Sequence, residues 1–419
     1  MLYLSLNQKG FVALAVTLLV LAIMFLIAMP LIVLILGQQR IASNLTQSNQ
    51  AYFAAEAGIE DALLRLKETM QRSSPYSFSV GNATVEIIIS DIIAWTRTVT
   101  ATGNAAGRFR KVQVAYELSG LAPGLHYGAQ VGDGGLIMDG NSEVVGNVFS
   151  NGSVNLKQPE SEILETVVVA GDDNKIYGKG TVWGNAYADI CEGESSGQKI
   201  TVAGELYAND VTNCTSTILS NLDPLIDAVP LPIATSQIED WENEAADGGA
   251  TGTYSITSGS DSLGPIKIDG DLEVDGAELI ITGTIWVTGD ITIRNPSTLV
   301  HLAPSYESAS GVIIGDNLIN LQEGSVSSGS GEPGSYLMYI STSAANPAIT
   351  IENATVADIL YSNTGWISIS QTGNMRSVNA YGINVANNSA LIYEIGIESA
   401  FFTSGPAGGW MVTSWREIE

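Results

Sequence analysis

The longest apolar run of the chain lies close to its amino terminus. Residues 11–36 read FVALAVTLLVLAIMFLIAMPLIVLIL, without a single charge. The hydrocarbon core of a bilayer needs about 20 apolar residues in a helix, whereas the apolar part of a cleavable secretion signal is only about 7 to 15 residues long. The run therefore predicts a transmembrane helix over 11–36, with a kink at Pro30 because proline removes a helical hydrogen bond.

Helical periodicity continues beyond this span. Spacings of three, four and seven residues place one set of side chains on a single helix face: Leu45, Tyr52, Ile59, Leu63, Leu66 and Met70. We therefore expect the anchor helix to extend to about Arg72. It should end at 73–75, because the residue before Pro75 is pushed out of the α region. Small residues would let another helix or a sheet approach closely: Ala54, Ala55, Ala57, Gly58 and Ala62.

Three strand-like runs follow the helix, at residues 84–90, 95–102 and 108–118. The last two are joined by Gly-Asn-Ala-Ala-Gly at 103–107, a composition typical of a hairpin loop. Together with the helix they predict one unit over residues 37–119, a long helix lying across a small antiparallel sheet. Residues 120–124, Gly-Leu-Ala-Pro-Gly, are expected to form a linker to the rest of the chain.

A different repeat begins beyond the linker and is clearest between residues 264 and 294. Its glycines are spaced six or seven residues apart, and each is followed by two apolar residues one position apart. In a strand such a pair points the same way, so one unit supplies a short strand and a turn, and stacked units share a core. The pattern predicts a β-solenoid over 125–419, expected to be a right-handed parallel β-helix. The chain as a whole is predicted to be mainly β.

The repeat is interrupted at about residues 219–250, where Pro224, Pro230 and Pro232 precede an acidic segment. Ser236 followed by Glu239 matches a capping box, which predicts a short acidic helix lying beside the solenoid or capping it. The last segment, 401–419, is expected to be a strand that closes the exposed edge of the final coil, since open edges invite association.

The residues before the apolar run give the anchor a particular character. Lys9, Gly10 and Phe11 follow a short polar leader over 1–10, which resembles the class III leader of type IV prepilins. The resemblance implies that a prepilin peptidase cuts between Gly10 and Phe11 and methylates the new amino terminus. Pilins usually carry Glu at the fifth mature position, where this chain has Ala15. That departure argues against a major, repeating subunit, and a plain single-pass anchor stays an alternative.

A second motif specifies the family more closely. The segment AAEAGIEDAL over 54–63 is similar to the motif at the corresponding place in PilX-like minor pilins. The resemblance covers about residues 7–118 and implies the pilin architecture, with other pilins, a pilus assembly platform and the prepilin peptidase as partners. The resemblance does not include the solenoid, which is predicted from its periodicity alone.

Charge limits the partners and predicts the orientation. The chain has 17 Lys plus Arg against 44 Asp plus Glu, a net charge of −27. This composition gives little sign of a surface able to neutralise the phosphates of a nucleic acid, so nucleic acid is not an expected partner. Lys9 precedes the span, which favours an amino terminus in the cytoplasm. The protein is therefore expected in the cytoplasmic (inner) membrane with its bulk outside the cytoplasm, in a pilus tip or on the cell surface.

Two cysteines, Cys191 and Cys214, are then in an oxidising compartment. A disulfide between them is expected there, and two free buried thiols are the alternative. Neither cysteine belongs to a CxxC motif, so zinc and thioredoxin chemistry have no support.

An enzyme was considered because right-handed β-helices include polysaccharide lyases and hydrolases. Such enzymes need clustered carboxylates, and the candidates are Asp172, Asp173, Asp189, Asp269, Asp271 and Asp275. Turn chemistry alone favours the last three of these, Asp269, Asp271 and Asp275. No catalytic residue, cofactor or metal site is predicted, although a calcium site at 269–276 stays open. His126 and His301 lie far apart without a triad or metal motif.

The sequence thus predicts a minor pilin or pseudopilin-like component of a type IV pilus or related secretion filament, presenting a solenoid for adhesion or surface interaction. Surface glycans are a candidate target, since aromatic side chains could form a sugar-binding platform: Tyr177, Trp183, Tyr187, Trp286, Tyr361 and Trp366. An uncleaved single-pass surface protein with a glycan-binding or structural β-helix is the alternative. A polysaccharide-active enzyme is the least favoured reading.

Overall fold

A computed structural model describes residues 8–67, 74–90, 96–118, 125–400, 402 and 410–418. The first element is α1 (Gln8–Lys67), a helix of 60 residues that contains the apolar run and remains helical through Pro30. Within the described residues, α1 is the one helix long and apolar enough to cross a membrane, with a mean hydropathy of 3.2 in its most apolar window. The predicted end of the helix, at 68–73, lies outside the described residues.

A small antiparallel sheet follows and confirms the predicted arrangement. Its strands are β1 (Tyr76–Val80), β2 (Ala83–Ile89), β3 (Thr96–Ala105) and β4 (Arg108–Leu118), each paired with the next. Side chains alternate between buried and exposed along β2, with Val85 and Ile87 fully buried against α1. Strand β1 was not predicted, because YSFSV lies where the sequence analysis had placed only the end of the helix.

The first block of the solenoid contains fifteen short strands: β5 (Ala129–Asp139), β6 (Glu143–Val145), β7 (Val148–Ser150), β8 (Val154–Leu156), β9 (Glu162–Ile163), β10 (Val167–Val169), β11 (Lys175–Gly178), β12 (Thr181–Val182), β13 (Ala186–Tyr187), β14 (Ile190–Gly193), β15 (Ile200–Val202), β16 (Glu205–Tyr207), β17 (Asp210–Thr212), β18 (Cys214–Thr215) and β19 (Ile218–Ser220). The helix α2 (Thr235–Asp247) separates this block from the second.

The second block also contains fifteen strands: β20 (Ala250–Ile256), β21 (Ser260–Leu263), β22 (Ile266–Asp275), β23 (Glu278–Ile281), β24 (Ile285–Val287), β25 (Ile291–Arg294), β26 (Leu299–Leu302), β27 (Gly311–Gly315), β28 (Ile319–Leu321), β29 (Val326–Ser328), β30 (Leu337–Ser341), β31 (Ile349–Ile351), β32 (Val356–Ile369), β33 (Asn374–Ala386) and β34 (Ala390–Ile392). Short 3₁₀ helices lie at Pro304–Tyr306 and Ile397–Ser399.

The strands of both blocks stack in three parallel columns. In the first block, β7 pairs with β10 in one column, β8 with β11 in the next and β9 with β12 in the third. The predicted apolar pairs point inward, and Leu272, Val274, Ile291 and Ile293 are buried in one continuous core. The stack of short parallel strands around a shared core is the β-solenoid that the glycine spacing predicted.

The two blocks stack in the reverse of their order along the chain. Strand β33 of the second block pairs in parallel with β5 of the first, which places Ile383 beside Leu136 and Val385 beside Met138. Strand β34 pairs with β6 in the same way. The chain therefore enters the solenoid in the middle of the stack, winds to one end at β19, crosses to the other end at β20 and winds back to the middle.

The segment between the blocks crosses the stack as an extended strap, 221–234, followed by α2. Along the strap, Gly171 N donates to the Ile226 carbonyl at 2.9 Å, Asn151 Nδ2 to Val229 at 2.7 Å, and Tyr361 Oη to Ile233 at 2.7 Å. These donors belong to coils progressively further from β19. The strap therefore runs along one face of the solenoid from one end of the stack towards the other.

Helix α2 packs beside the solenoid on β22 and β24, and Trp241 is 1% exposed in a cluster with Met338 and Phe402. The predicted position beside the stack is thus correct. The predicted capping box is wrong, because the N-cap is Ala234, which makes no side-chain capping bond, and Ser236 lies inside the helix. The interruption begins after Ser220, since residues 218–220 still form strand β19.

The carboxy-terminal strand contradicts the prediction that residues 401–419 close the solenoid. Strand β35 (Trp410–Ile418) pairs antiparallel with β4, so Trp415 lies beside Val114 and the small sheet has five strands in the order β1-β2-β3-β4-β35. The strand thus covers the free edge of β4 and not the edge of a coil. The solenoid unit predicted over 125–419 therefore ends before this strand.

Candidate functional sites on the anchor helix and the solenoid

The small residues of α1 bring the helix into close contact with its own sheet. Ala51, Ala54, Ala55 and Ala62 are at most 1% exposed. A Cβ atom added at Gly58 would lie 2.6 Å from Val85 Cγ2, which is closer than side chains pack. Of the two partners that the sequence left open for this face, the structure shows the sheet.

The opposite side of α1 carries exposed apolar side chains above the membrane-spanning run. Ile41 is 69% exposed, Leu45 and Phe53 are each 62% exposed, and Leu64 is 51% exposed. Successive spacings of 4, 8 and 11 residues keep them on one side of a helix with 3.6 residues per turn. Exposed large apolar residues continue through 14–36. An exposed apolar stripe of this length is a candidate surface for packing against other helices.

A polar cluster fixes the upper part of α1 to β1. Asp61 accepts hydrogen bonds from Arg65 Nε at 2.7 Å and from Tyr76 Oη at 2.8 Å, while the Arg65 guanidinium lies 5.0 Å from the centre of the Tyr76 ring. Burial and the hydrogen bond to Asp61 raise the pKa of the Tyr76 hydroxyl well above its usual value. The cluster therefore sets the angle of the helix on the sheet.

The predicted cleavage site lies at the start of α1. Gly10 and Phe11 both fall within the helix, and their side chains lie outside the described residues. Ala15 is exposed on the helix surface. The helix begins at Gln8, within the predicted leader, and the cleavage stays a prediction.

The carboxylates considered for catalysis have structural partners in the solenoid. Asp275 receives a hydrogen bond from Arg294 Nε at 3.0 Å, Asp271 Oδ1 accepts from Asp290 N at 2.8 Å, and Asp269 forms an ion pair with Lys267 at 2.9 Å. The first two contacts link neighbouring coils, whereas Lys267 and Asp269 lie on the same strand, β22. The arrangement therefore accounts for these acids as parts of the coil corners.

A second acidic group lies at another corner. Carboxylate oxygens of Asp172, Asp173 and Asp189 fall within 4.8 Å of one another. Asp189 accepts from the Asp173 backbone N–H and from Asn209 Nδ2, both at 3.0 Å. These bonds account for the proximity of Asp173 and Asp189 by contacts at the coil corner.

The two histidines lie in different settings. His126 Nδ1 is 3.5 Å from Glu398 Oε2, and both side chains are 1% exposed. His301 Nε2 is 3.2 Å from Glu278 Oε1 on the neighbouring coil. His126 and Glu398 lie where the chain enters and leaves the solenoid, so their contact joins the two ends of the solenoid chain.

The aromatic residues proposed as a sugar platform do not form one surface. Tyr361 is fully buried under the strap, and Trp366 packs on Gly382, where an added Cβ would lie 2.4 Å from its ring. Trp286 donates to Asp316 at 3.0 Å and lies under Lys267, 4.4 Å from the ammonium nitrogen. These three side chains are structural.

The remaining three lie on the first block. Trp183 is 54% exposed and donates to Glu162 at 3.2 Å. Tyr187 stacks on Tyr207 with ring centres 4.6 Å apart, and Tyr177 carries Lys175 over its ring at 4.9 Å. These three aromatic side chains lie on different strand columns of the first block, and Trp183 is the most exposed of them.

A disulfide joins Cys191 and Cys214, with sulfur atoms 2.06 Å apart. Cys191 lies on β14 with no exposed surface, whereas Cys214 lies on β18 near the end of the stack. Because β18 pairs only with β15 among the described strands, the bond ties the last coils of the first block to the core.

A groove on the second block contains a buried acid that sequence reasoning missed. Asp358 is 2% exposed, accepts from Leu337 N at 3.0 Å and pairs with Arg376 Nε at 3.0 Å. Arg376 also contacts Glu394. Burial raises the pKa of Asp358, against the lowering effects of the Leu337 N–H and Arg376. The groove next to Tyr336 has a volume of about 290 Å³.

Comparison with known proteins concerns the amino-terminal region. Residues 9–60 match the family model described as PilX N-terminal. The crystal structure of the competence-associated pilin ComZ from Thermus thermophilus is 12% identical and has a TM-score of 0.31, covering 89% of this chain and 98% of that chain. A TM-score that low carries no argument about this chain. No curated protein matches the sequence. The amino-terminal region of this chain is therefore similar to that of PilX-like minor type IV pilins, and it contains the one described helix that is long and apolar enough to cross a membrane.

Proposed function

We propose that this chain is a minor pilin or pseudopilin-like component of a type IV pilus or related secretion filament, and that it presents the β-solenoid outside the cell for adhesion or another surface interaction. The observation that carries the proposal is the division of α1 into two faces. One face is buried on its own sheet through Ala51, Ala55 and Gly58, while Ile41 and Phe53 are exposed on the other. Packing against other pilin helices would bury that second face.

Membrane insertion and processing follow the family resemblance. The amino terminus lies in the cytoplasm, and a prepilin peptidase cuts between Gly10 and Phe11 and methylates Phe11. The apolar run at 11–36 then holds the protein in the inner membrane until an assembly platform adds it to the filament. Lys9 immediately before the run and the resemblance to prepilin leaders support this orientation.

The proposed pilin unit is not continuous in sequence, because it includes the carboxy-terminal strand β35. The leader is 1–10 and the transmembrane segment 11–36, while the pilin unit combines the rest of α1, β1 to β4 and β35. The solenoid extends from Leu125 to about Ile397, and both of these residues belong to one buried cluster with Phe402. Two chain segments, 119–124 and 403–409, therefore connect the units, so a pull on the solenoid is shared between two covalent connections.

The proposed adhesive surface lies on the first block of the solenoid. Trp183, Tyr187 and Tyr207 supply aromatic faces there, and aromatic faces pack on the apolar faces of sugars. The acidic charge of the chain disfavours anionic targets. Neutral surface glycans are therefore the proposed target.

Assembly can be tested in cells that produce the filament. Phe53→Arg places a charge in the exposed apolar stripe and should remove the chain from sheared filaments while leaving it in the membrane. Trp183→Arg makes the same change at a similarly exposed aromatic residue on the solenoid and should leave incorporation intact. Equal recovery of both variants in filaments would contradict the proposed assembly surface.

Ala15 favours a second candidate, a stationary surface protein that is anchored but not assembled, since this position usually carries Glu in pilins. The two functions predict different amino termini. Sequencing the membrane form should give methylated Phe11 for the pilin-like component and an intact Met1 for the stationary protein. A strain without the prepilin peptidase should retain a protein of higher mass only in the first case.

A further inference from the structure

The membrane-facing end of the pilin unit has an unusual charge. The chain carries 44 acidic residues, yet residues 37–55 of the helix and 96–116 of the sheet contain none. The same segments contain five basic residues: Arg40, Arg97, Arg108, Arg110 and Lys111. One part of this strongly acidic protein is therefore basic, and the fold shows where its basic residues lie.

The contacts between α1 and the β3–β4 hairpin place the hairpin tip next to the membrane. Gly103 lies against Ala51, Arg110 Nε donates to Ser48 Oγ at 2.7 Å, and Arg108 Nη2 donates to Asn44 Oδ1 at 2.8 Å. The contacts move towards the apolar run as the hairpin approaches its tip. The tip residues, 106–107, are therefore the part of the sheet nearest to the bilayer.

Helix geometry gives the height of this tip. Asn44 lies eight residues after Leu36, the last apolar residue of the run, which is about 12 Å along the helix axis. Lipid headgroups extend about 5 to 8 Å beyond each surface of the hydrocarbon core, and an extended arginine side chain covers most of the remaining distance. Arg40 lies closer still, at about 6 Å.

The side chains at the tip are suited to a lipid surface. Arg108 and Phe109 are exposed, Phe109 at 65%, and Lys111 is half-buried. Arg110 forms an ion pair at 3.0 Å with Glu417, the acid on the neighbouring strand β35. Guanidinium groups bind phosphate through two parallel hydrogen bonds, and an aromatic ring between basic residues is favoured at the membrane interface.

We propose that this basic tip, formed by Arg40, Arg108, Phe109 and Lys111, binds the headgroups of anionic phospholipids in the membrane that holds α1. The contact orients the unassembled protein with its pilin unit upright on the bilayer, which leaves the apolar stripe of α1 accessible to another pilin. The inference depends on membrane anchorage by α1 and not on cleavage or adhesion. It can therefore fail while the proposed function holds.

The test uses the full chain, one copy per nanodisc, with an environment-sensitive fluorophore attached at Ala106→Cys. Ala106 is exposed and the two native cysteines are joined to each other. In nanodiscs containing phosphatidylglycerol the emission should shift to the blue relative to phosphatidylcholine, and high salt should reverse the shift. Since each basic side chain near an anionic surface contributes about fivefold to binding, the double change Arg108→Glu and Lys111→Glu should abolish it.

Three further variants separate charge from folding. Arg108→Lys keeps the charge and Asn44→Ala removes only the hydrogen bond to Arg108, so both should retain the shift. Lys199→Glu, at an exposed lysine on the solenoid, reverses one charge elsewhere, against two in the double variant, and should also retain the shift. Equal emission of the unaltered tip in the two lipids would overturn the proposal. So would a blue shift that requires several chains in one bilayer, because the tip would then bind protein.

Discussion

Gly103 on β3 lies so close to α1 that a Cβ atom at this position would be 1.9 Å from the carbonyl oxygen of Ala51. The obstructing atom belongs to the helix backbone, which cannot rotate away as a side chain can. Together with Gly58, this glycine allows the helix and the sheet to approach more closely than residues with side chains permit. The close approach determines which face of α1 remains exposed.

Gly103→Ala should therefore destabilise the pilin unit. Forcing extra atoms into a packed core costs about 1 to 3 kcal/mol, and the upper end of that range is expected because the backbone must move. Hydrogen exchange of the β2 to β4 amides should become faster, while exchange in the solenoid should not change. Gly37→Ala is the control, since nothing lies within 4 Å of its added Cβ and alanine favours the helix. Wild-type protection in Gly103→Ala would contradict the prediction.

The reversed stacking of the two solenoid blocks predicts a weak point at the pairing of β33 with β5. Ile383 lies there beside Leu136 and is fully buried. Ile383→Ala should cost about 2 to 5 kcal/mol and should separate one unfolding transition into two, because repeats stabilise one another only through neighbours. Ile319→Ala removes the same atoms within the second block and should shift the transition without dividing it.

Urea unfolding followed by circular dichroism and by segment-resolved hydrogen exchange distinguishes these results. If the chain stacked its blocks in sequence order, Ile383 would lie at a free end of the stack. Its truncation would then loosen only the last coil, and unfolding of the remaining coils would stay a single transition.

The sequence predicted the local units well because they are determined by neighbouring residues. Gly58 and the alanines around it marked the close-packed face of α1, and the Leu272 and Val274 pair marked the inward face of a coil. The stacking order of the two blocks could not be predicted, because an inward apolar side chain such as Leu136 can pack against any other coil. The sequence of a single strand likewise does not show which strand it pairs with. Residues 401–419 were therefore predicted to close the solenoid, whereas β35 extends the small sheet.

One available signal would have shown where α2 packs. Strands β27 and β30 are apolar at successive positions, and Val312, Ile314, Met338 and Ile340 point out of the solenoid core yet are buried. Parallel strands with two apolar faces must be covered on both sides. The segment with Trp241 was the apolar candidate for that cover. The buried Asp358 gave no comparable signal, since an isolated Asp is far more often at a turn.

Removal of the disulfide should loosen one end of the solenoid. Replacing Cys191 and Cys214 by alanine frees a loop with a sequence separation of 23, which should cost about 3 kcal/mol by loop entropy. Hydrogen exchange should become faster at 210–220 and stay unchanged at 250–392, because the second block lies beyond the middle of the stack. Adding a reductant to the wild type should give the same pattern, and it should have no effect on the variant.

Asp358 predicts a pH dependence of stability. Its pKa is raised in the folded state, mainly by burial, so the folded chain holds the proton more tightly than the unfolded chain. The stabilising contribution is present below the ordinary aspartate value of about 4 and is lost as the pH rises through the raised value. Asp358→Asn should therefore become more stable relative to the wild type as the pH increases over this range.

Urea midpoints measured across the acidic range test this trend. Arg376→Gln removes the cation that lowers the pKa of Asp358, so it should make the loss of stability with rising pH steeper. A difference between wild type and Asp358→Asn that does not vary with pH would show that ionisation of this group is not linked to folding.

Strand β35 predicts that the end of the chain stabilises its beginning. Truncation after Phe402 removes the partner of β4, including the pairing of Trp415 with Val114 and the ion pair between Arg110 and Glu417. The β4 amides that face β35 should lose protection from exchange, and the exposed strand edge should promote association. The solenoid, whose core ends before this strand, should keep its protection, whereas faster exchange throughout both units would show that β35 supports more than the small sheet.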